Sequence, residues 1–415
     1  MKRISLFLLL FLLLKATVMY SQDGHPETNF RIVPVSPNAA SLGTYGLIPT
    51  DNYVGQARIS IPIYEIDLDG KKFPIALSYH TDGTRVAQEA TWIGLGWTLQ
   101  AGGCVVRQVQ GTDDFAARGC YNLTDAPWLT NPRFEVTDQN LEKYMGYFKG
   151  DYDAEPDMFY FNAGGHSGSM YFDVLKNNRQ LNAVPTIQTQ EKVVKMVYNT
   201  SNKTWTMTDL EGYVYSFSTK EITYYFLNTI DFFQTDITRS HIFPYYNEPQ
   251  IVTAWMLDSV TSPNGGKITF SYKKESIFTP ISTTEDVISL SKIVNGQLSS
   301  QSPQYFTNKF NYNYSYSKIE QWTLSAITFE GGKVEFGTTD REDIESAETG
   351  KKVQKLSSIK VSDTAGNLIK TTMLEYKYLL SGMAATTNGY DDRLLLSKVY
   401  DVAGSKKNNV YTMDY

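Results

Sequence analysis

Short runs in which apolar and polar residues alternate, separated by turn residues, recur along most of the chain. Residues 57–67 (ARISIPIYEID) and 73–80 (FPIALSYH) alternate in this way, with Asp69-Gly70 between them and Asp82-Gly83 after them. Alternation of period two turns one side of a strand toward a core, and Asp-Gly between two such runs is typical of a tight hairpin turn. The pattern predicts a β-meander or sandwich-like region over residues 53–110.

A hairpin pattern recurs with sequence variation in the second half of the chain. Each copy has an apolar strand, a turn with Gly or Asn, and a strand that ends in aromatic residues. Strand runs also occupy 157–173, 192–199, 204–218 and 221–228, with turns expected at Gly168 and Glu211-Gly212. The spacing predicts a hairpin array with insertions. Its copies are MLDSVTSPNGGKITFSY (256–272), LSAITFEGGKVEFG (324–337), LSSIKVSDTAGNLIKTTMLEY (356–376) and LLLSKVYDVAGSKKNNVYTMDY (394–415).

Composition agrees with an all-β chain, because 29 Tyr and 21 Phe accompany many Thr, Ile and Val, and these residues favour strands over helices. Residues 111–156 differ, since Gly, Asp, Asn and Pro are frequent there and only LEKYMGYF (141–148) could form a short helix. We predict very little helix and a long loop or insertion over this stretch.

The N-terminus predicts export. Lys2 and Arg3 precede an apolar run over residues 6–14, and the segment ends in a polar stretch with a small residue, Ser21, before the expected cut. This is the pattern of a signal peptide. The apolar run is too short to cross a bilayer, and no Cys near the cut offers a lipid-attachment site. The mature chain is expected to be extracytoplasmic, secreted or at the cell surface, without stable membrane insertion.

These signals divide the chain into five segments. They are a signal peptide (1–21), an N-terminal β region (22–110), a loop-rich insertion (111–156), a β domain (157–250) and degenerate hairpin repeats (251–415). The last repeat stops at Tyr415 without a covering element, and repeat arrays normally need one. The chain is therefore expected to be one end of a larger assembly or a truncated reading frame.

The charge balance argues against nucleic acid as a partner. The chain has 44 acidic and 38 basic residues and a net charge of −6, and loss of the signal peptide removes only basic residues. An acidic protein repels phosphate, and no basic patch is evident.

No catalytic motif is identifiable, so the chain is predicted not to be an enzyme. Its four histidines match no metal-binding pattern, and Gly164-Gly165-His166-Ser167-Gly168 is interpreted as a turn. No cofactor is expected apart from calcium, whose preference for oxygen ligands suits one acidic cluster. The calcium candidates are Asp151, Asp153, Glu155 and Asp157.

The chain has two cysteines, Cys104 and Cys120. An exported compartment permits a disulfide between them, and the alternative is that Cys104, in an apolar stretch, is a small buried hydrophobe. Both interpretations remain open at this point.

The N-terminal region carries a family likeness. The segments that carry it are Pro37-Asn38-Ala39-Ala40-Ser41-Leu42-Gly43, Ile59-Ser60-Ile61-Pro62-Ile63, Leu77-Ser78-Tyr79-His80 and Trp92-Ile93-Gly94-Leu95-Gly96-Trp97-x-Leu99-x-Ala101-Gly102-Gly103. They resemble the N-terminal region of Rhs/YD-repeat (RHS repeat-associated) proteins and, more distantly, the shell-forming B component of insecticidal toxin complexes. The resemblance implies an Rhs-like β-spiral shell segment with a degenerate repeat at Tyr400-Asp401, and neither self-cleavage nor toxicity is carried over.

The last of these segments is predicted to be a structural motif. Its glycines allow close approach of backbones, and its two indoles fill the space beside them. The alternative is a platform for stacking on carbohydrate, which requires exposed indoles. The motif residues are Trp92, Gly94, Gly96, Trp97, Gly102 and Gly103.

Three functions remain. The favoured one is an exported, non-enzymatic scaffold or shell segment, bacterial and toxin-related, that encloses or presents a partner polypeptide or further Rhs segments. The second is a glycan-binding or adhesive surface module using Trp92, Trp128 or Trp205. The third is a secreted hydrolase that uses carboxylates, for which no motif is present.

Overall fold

The computed structural model describes residues 33–47, 59–80, 88–111, 113–116, 119–121, 155–173, 184–188, 194–230, 250–289, 293–294, 297–298, 308–379, 392–403 and 406–415. The predicted signal peptide, most of the predicted insertion and the predicted Asp82-Gly83 turn lie outside these residues.

Nearly all of the regular structure in this part of the chain is β-strand, as the sequence predicts. One helix precedes the strands, α1 (Pro37–Leu47). The strands are β1 (Ile59–Leu68), β2 (Lys71–Tyr79), β3 (Trp97–Gln100), β4 (Gly103–Gln108), β5 (Met158–Ala163), β6 (His166–Tyr171), β7 (Thr186–Ile187), β8 (Val194–Asn199), β9 (Thr204–Asp209), β10 (Val214–Ile230), β11 (Gln250–Thr261), β12 (Lys267–Phe278), β13 (Ser282–Ser289), β14 (Ile293–Val294), β15 (Gln297–Leu298), β16 (Asn308–Phe329), β17 (Gly332–Asp340), β18 (Gln354–Ser362), β19 (Leu368–Leu379), β20 (Arg393–Ala403) and β21 (Lys406–Thr412).

The described strands form three antiparallel sheets. One is a meander, β1-β2-β3, and one is the small pair β14-β15. The third has 16 strands, and its main path runs β21-β20-β19-β18-β17-β16-β10-β11-β4-β5-β6-β7. Off that path, β12 pairs with β11 and β16, β13 pairs with β16, and β8 pairs with β9, which pairs with β10.

The predicted hairpins form where the turn residues place them. Asp69 and Gly70 join β1 to β2 with φ of 50° and 92°, the two positive values that a two-residue hairpin turn requires. The four repeat copies are the hairpins β11-β12, β16-β17, β18-β19 and β20-β21. In each case the turn is determined by the conformational preferences of a few consecutive residues, so the sequence predicts it.

One predicted turn is wrong. Gly168 lies inside β6, opposite Phe161 of β5, and the chain reverses instead at Gly164 and Gly165. Both of the latter glycines have positive φ, so the hairpin uses the first glycine pair of the segment and leaves Gly168 as a strand residue.

Helix α1 was not predicted, although its start has a local signal. Ser36 caps it, because the Ala39 N–H donates to Ser36 Oγ over 3.1 Å, and Pro37 occupies the first helical position. Serine followed by proline is a common helix start. The helix packs Ala39 on Cys104, Ala254 and Met256 of the large sheet, so tertiary burial stabilises a short helix of ordinary propensity.

The chain divides into two compact units, one formed by residues 32–109 and 156–415 and one by residues 1–31 and 110–155. In the smaller unit the described residues form turns, in which the Phe115 N–H donates to Asp113 Oδ1 over 2.9 Å. The Phe115 ring also packs on Tyr121, with centroids 5.2 Å apart. No helix in the described ranges is long and apolar enough to cross a membrane.

Candidate functional site

The segment that carries the family likeness is packed into the larger unit. Trp92 and Trp97 are 6% and 2% exposed. The backbone N–H of Trp92 donates to Asn38 Oδ1 on α1 over 2.9 Å. The Trp92 ring centroid lies 6.5 Å from that of Phe336 on β17. The two indoles therefore contribute large apolar surfaces to the core.

Backbone hydrogen bonds connect this segment to two of the repeat strands. The Leu95 N–H donates to Leu394 O on β20 over 2.8 Å, and the Leu356 N–H on β18 donates to Trp92 O over 3.0 Å. We call residues 88–97 together with their partners on β18, β20 and 341–343 the motif seam. It ties a segment near residue 90 to strands more than 250 residues later in the chain.

Two glycines allow this segment to pack closely, Gly94 against β20 and Gly96 against the end of β2. Gly94 has a φ of 117°, and a Cβ there would lie 2.9 Å from Leu396 N. Gly96 has a φ of 77°, and a Cβ there would lie 2.6 Å from Tyr79 Cε2. Residues with a side chain rarely adopt such φ values and would also collide with these neighbours. Of the other predicted motif glycines, Gly102 faces the Phe270 ring and Gly103 lies against Asn162 and Ala163.

A second tether joins the motif to the last residue of the chain. Trp97 Nε1 donates to the Tyr415 hydroxyl over 2.8 Å, and this hydroxyl donates to Leu396 O over 2.9 Å. Tyr79 lies beside both rings, with centroids 5.1 Å from Trp97 and 6.4 Å from Tyr415. A buried indole N–H is thus satisfied by a residue 318 positions away.

A buried ion pair completes the motif seam. Arg341 and Asp343 have side chains that are each 2% exposed. Arg341 Nε and Nη2 donate to the two oxygens of Asp343 over 2.8 and 2.7 Å. The guanidinium also donates to the carbonyls of Thr91 and Ala90, and the Leu394 N–H donates to Asp343 Oδ2. The pair is bidentate and bonded to both sides of the seam.

The residues before α1 cover a buried carboxyl group. The Ser36 N–H and the Thr253 hydroxyl both donate to Glu221 Oε1, over 2.8 and 3.1 Å, whereas Glu221 Oε2 has no hydrogen-bond partner among the residues that the structure describes. Burial raises the pKa of Glu221, although these hydrogen bonds oppose the shift. The group is therefore held in its protonated form more strongly than an exposed glutamate.

Glu221→Gln should reduce the loss of stability as the pH rises. Because the folded state binds the Glu221 proton more tightly than the unfolded chain does, its contribution is fully present below the ordinary pKa of 4.5 and is lost as the pH rises through the raised pKa. Urea unfolding across this range checks the slope. Glu330→Gln, at an exposed position, should keep the wild-type slope, and an unchanged slope in Glu221→Gln contradicts the prediction.

Cys104 is a free, fully buried thiol on β4. It packs among Ala39, Val106, Ala254 and Met256, and burial followed by the charge of Glu221 raises the pKa of the thiol. This is the environment of a small hydrophobe rather than of a reactive cysteine. A bond between Cys104 and Cys120 stays a prediction for the oxidised protein.

The calcium candidates fall in different surroundings. Asp151 and Asp153 lie outside the described residues, and Glu155 is exposed. Asp157 is fully buried, and its Oδ2 accepts hydrogen bonds from Nε (2.8 Å) and Nη2 of Arg107. Asp157 thus takes part in a buried ion pair, which the linear acidic pattern did not indicate. Within the described ranges, no three or more His, Cys, Asp or Glu side chains are grouped for metal binding.

Two of the three tryptophans that a glycan platform would use are buried. Trp92 is buried, and Trp205 is 1% exposed within a cluster that also contains Phe159, Phe172, Tyr198 and Trp255. Trp128 lies outside the described residues. Neither Trp92 nor Trp205 can stack on a sugar ring, because their faces pack against other side chains.

Comparison with known proteins gives a distant likeness in structure only. No protein-family model and no curated protein sequence matches the chain. A crystal structure of TcdB2-TccC3 is 10% identical and overlaps 92% of this chain with a TM-score of 0.37, and the Photorhabdus luminescens Tc holotoxin pore is 10% identical with the same coverage and a TM-score of 0.38. The chain spans only 16% of the length of each.

The N-terminal domain of effector protein SpvB from Salmonella typhimurium strain LT2 is a further neighbour. It is 11% identical, and the match covers 83% of this chain and 98% of that domain with a TM-score of 0.36. These TM-scores are too low to transfer any activity or partner.

Proposed function

We propose that the chain is an exported, non-enzymatic β scaffold, a segment of a shell-like wall that encloses or presents a partner polypeptide. The observation that carries the proposal is the path β16-β17-β18-β19-β20-β21, in which each strand pairs with its neighbour in sequence. Successive hairpins of this kind extend a single sheet and do not close around a small ligand pocket.

Burial along the first half of β17 supports a wall with one solvated face at that strand. β17 begins with strict alternation of buried and exposed residues, as expected where only one face of an antiparallel sheet is covered. The covered face is held by the motif seam, whose backbone bonds and buried ion pair connect β18 and β20 to residues 88–97. These bonds fix the positions of β18 and β20 relative to residues 88–97, which suits a scaffold.

The end of this wall offers a surface for another polypeptide. Six of the exposed large apolar residues lie on β19, on β21 and at Tyr415, and all of β21 is exposed. Among the described strands, β21 pairs on one side only, with β20. An edge strand with exposed apolar side chains can add a strand from a partner. The exposed residues are Leu368, Ile369, Leu379, Val410, Tyr411 and Tyr415.

Purification of the tagged mature chain from its native host should recover a polypeptide bound in a fixed ratio. Val410→Lys, which places a charge on the exposed edge, should reduce the recovered polypeptide roughly tenfold, equivalent to about 1.4 kcal/mol of binding free energy. Leu210→Lys is the matched control, because Leu210 is also an exposed apolar residue but lies at the β9–β10 turn. A wild-type chain recovered as a clean monomer contradicts the proposal.

A further inference from the structure

A cluster of polar side chains lies where the start of β2 meets the turn between β9 and β10. Lys71 Nζ is 2.5 Å from Asp209 Oδ2 and 2.8 Å from Glu211 Oε2. The side chain of Asp209 is 1% exposed and that of Lys71 is 16% exposed, whereas Glu211 is 64% exposed. Lys71 and Asp209 are thus in contact at a largely buried position, and the Glu211 carboxylate lies on the solvent side.

Aromatic rings shield the contact from water. Lys71 Nζ lies 4.8 Å from the centroid of the Tyr213 ring. Phe73 packs beside Tyr213 and Tyr215, with centroids 6.4 Å away in each case. Burial alone would raise the pKa of Asp209, but hydrogen bonds from Lys71 and Tyr213 outweigh it and leave that pKa below its usual value. The resting pair is therefore an ammonium and a carboxylate.

The two oxygens of Asp209 have different partners. Oδ1 accepts the backbone N–H groups of Glu211 and Tyr213 over 3.0 and 2.9 Å. Oδ2 accepts the Tyr215 hydroxyl over 3.1 Å in addition to Lys71. Two backbone N–H groups on one oxygen form the arrangement that stabilises the negative oxygen of a tetrahedral intermediate in acyl transfer.

We propose that Lys71 and Asp209 form an intramolecular amide bond. Lys71 Nζ first passes one proton to Asp209 Oδ2, which it contacts, so that a neutral amine faces a carboxylic acid. Nζ then attacks Cγ, and Oδ1 becomes the oxyanion bonded to the two N–H groups. The Glu211 carboxylate takes the second proton from the nitrogen and returns it to Oδ2 as the Cγ–Oδ2 bond breaks, so that the oxygen leaves as water with the two protons that the nitrogen lost. Ammonium plus carboxylate gives amide plus water, without any oxidant or co-reactant.

The cross-link has a structural consequence. It joins the meander β1-β2-β3 to the large sheet across 138 residues of sequence. Each chain reacts once, so the bond is a modification of a scaffold rather than turnover of a substrate. Formation of the bond does not require the proposed partner polypeptide.

Intact-mass spectrometry of the mature wild-type chain tests the bond. The mass should be lower than the sequence mass by one water, and a tryptic digest should contain one branched peptide that joins Lys71 to Asp209. Lys71→Ala and Asp209→Ala should both have the full sequence mass. Glu211→Gln, at an exposed position, should fold and should form the bond roughly a hundredfold more slowly, because the general base is absent.

Lys72→Ala is the matched control. Lys72 also contacts two carboxylates, Asp67 at 2.9 Å and Glu65 at 3.3 Å, but its side chain is 56% exposed. This variant should still be lighter by one water. A wild-type chain that keeps the full sequence mass after prolonged incubation overturns the proposal, and so does a branched peptide that joins any other pair of residues.

Discussion

Asp343→Ala should destabilise the protein by about 3–5 kcal/mol, because it leaves the Arg341 guanidinium buried without its counter-charge. Both side chains are almost fully buried, and Asp343 also accepts the Leu394 N–H over 3.1 Å. The variant therefore leaves a buried cation and a buried backbone donor unsatisfied at once. Urea unfolding of the mature chain measures the loss.

Two further variants test whether the loss of stability comes from the unpaired buried charge. Asp340→Ala removes an exposed carboxylate three residues away that accepts a hydrogen bond from Gln354, and it should change stability by no more than about 0.5 kcal/mol. The double variant Arg341→Met, Asp343→Leu should be more stable than Asp343→Ala, because it leaves no buried charge. An Asp343→Ala protein within about 1 kcal/mol of wild type would show that water reaches the pair.

Gly96→Val should destabilise the protein by about 2–4 kcal/mol, combining an unfavourable φ with overpacking. The φ of 77° is one that a β-branched residue rarely adopts. A Cβ at this position would lie 2.6 Å from Tyr79 Cε2 and 3.2 Å from His80 O. Since Tyr79 packs on Trp97, displacement of its ring would also disturb the motif seam. Thermal unfolding beside Gly96→Ala measures both contributions.

Gly265→Val is the matched control for this prediction. Gly265 has a similar φ of 95°, but a Cβ there would meet no atom within 4 Å. Gly265→Val should reduce the free energy of unfolding only by the cost of the unfavourable φ, about 1–2 kcal/mol. If Gly96→Val melts within about 2 °C of wild type, the segment is a loose surface loop and the core interpretation of the motif is wrong.

The hairpins were predictable because their signals are local. Asp69-Gly70 and the repeat turns act over two to five residues, and the alternation of period two is visible in each strand. The helix start at Ser36-Pro37 is equally local, but a helix was not predicted there. The Gly164-Gly165 turn was misplaced to Gly168, since a glycine-rich run does not show which glycine carries the reversal.

The motif seam, the buried Glu221 carboxyl group and the contact between Lys71 and Asp209 could not be predicted from sequence. Arg341 lies 250 residues from Thr91, and Lys71 lies 138 residues from Asp209. Asp157 is the opposite case, because the sequence places it in a run of acidic residues that suggested a calcium site. In the structure it instead pairs with Arg107 in the core. Contacts of this kind depend on sheet order, which no local pattern specifies.

The amino-acid sequence by itself determined that the chain is all-β, where most of its hairpins turn and which glycine–tryptophan segment has a special conformation. These properties follow from backbone φ preferences and from side-chain periodicity, which act between near neighbours. Only the tertiary structure decided that β4 lies between β11 and β5, that Trp92 and Trp205 are buried, and that Lys71 contacts Asp209. Strand order and ion pairing arise from burial shared among distant segments, and that free energy exists only when all of them are assembled.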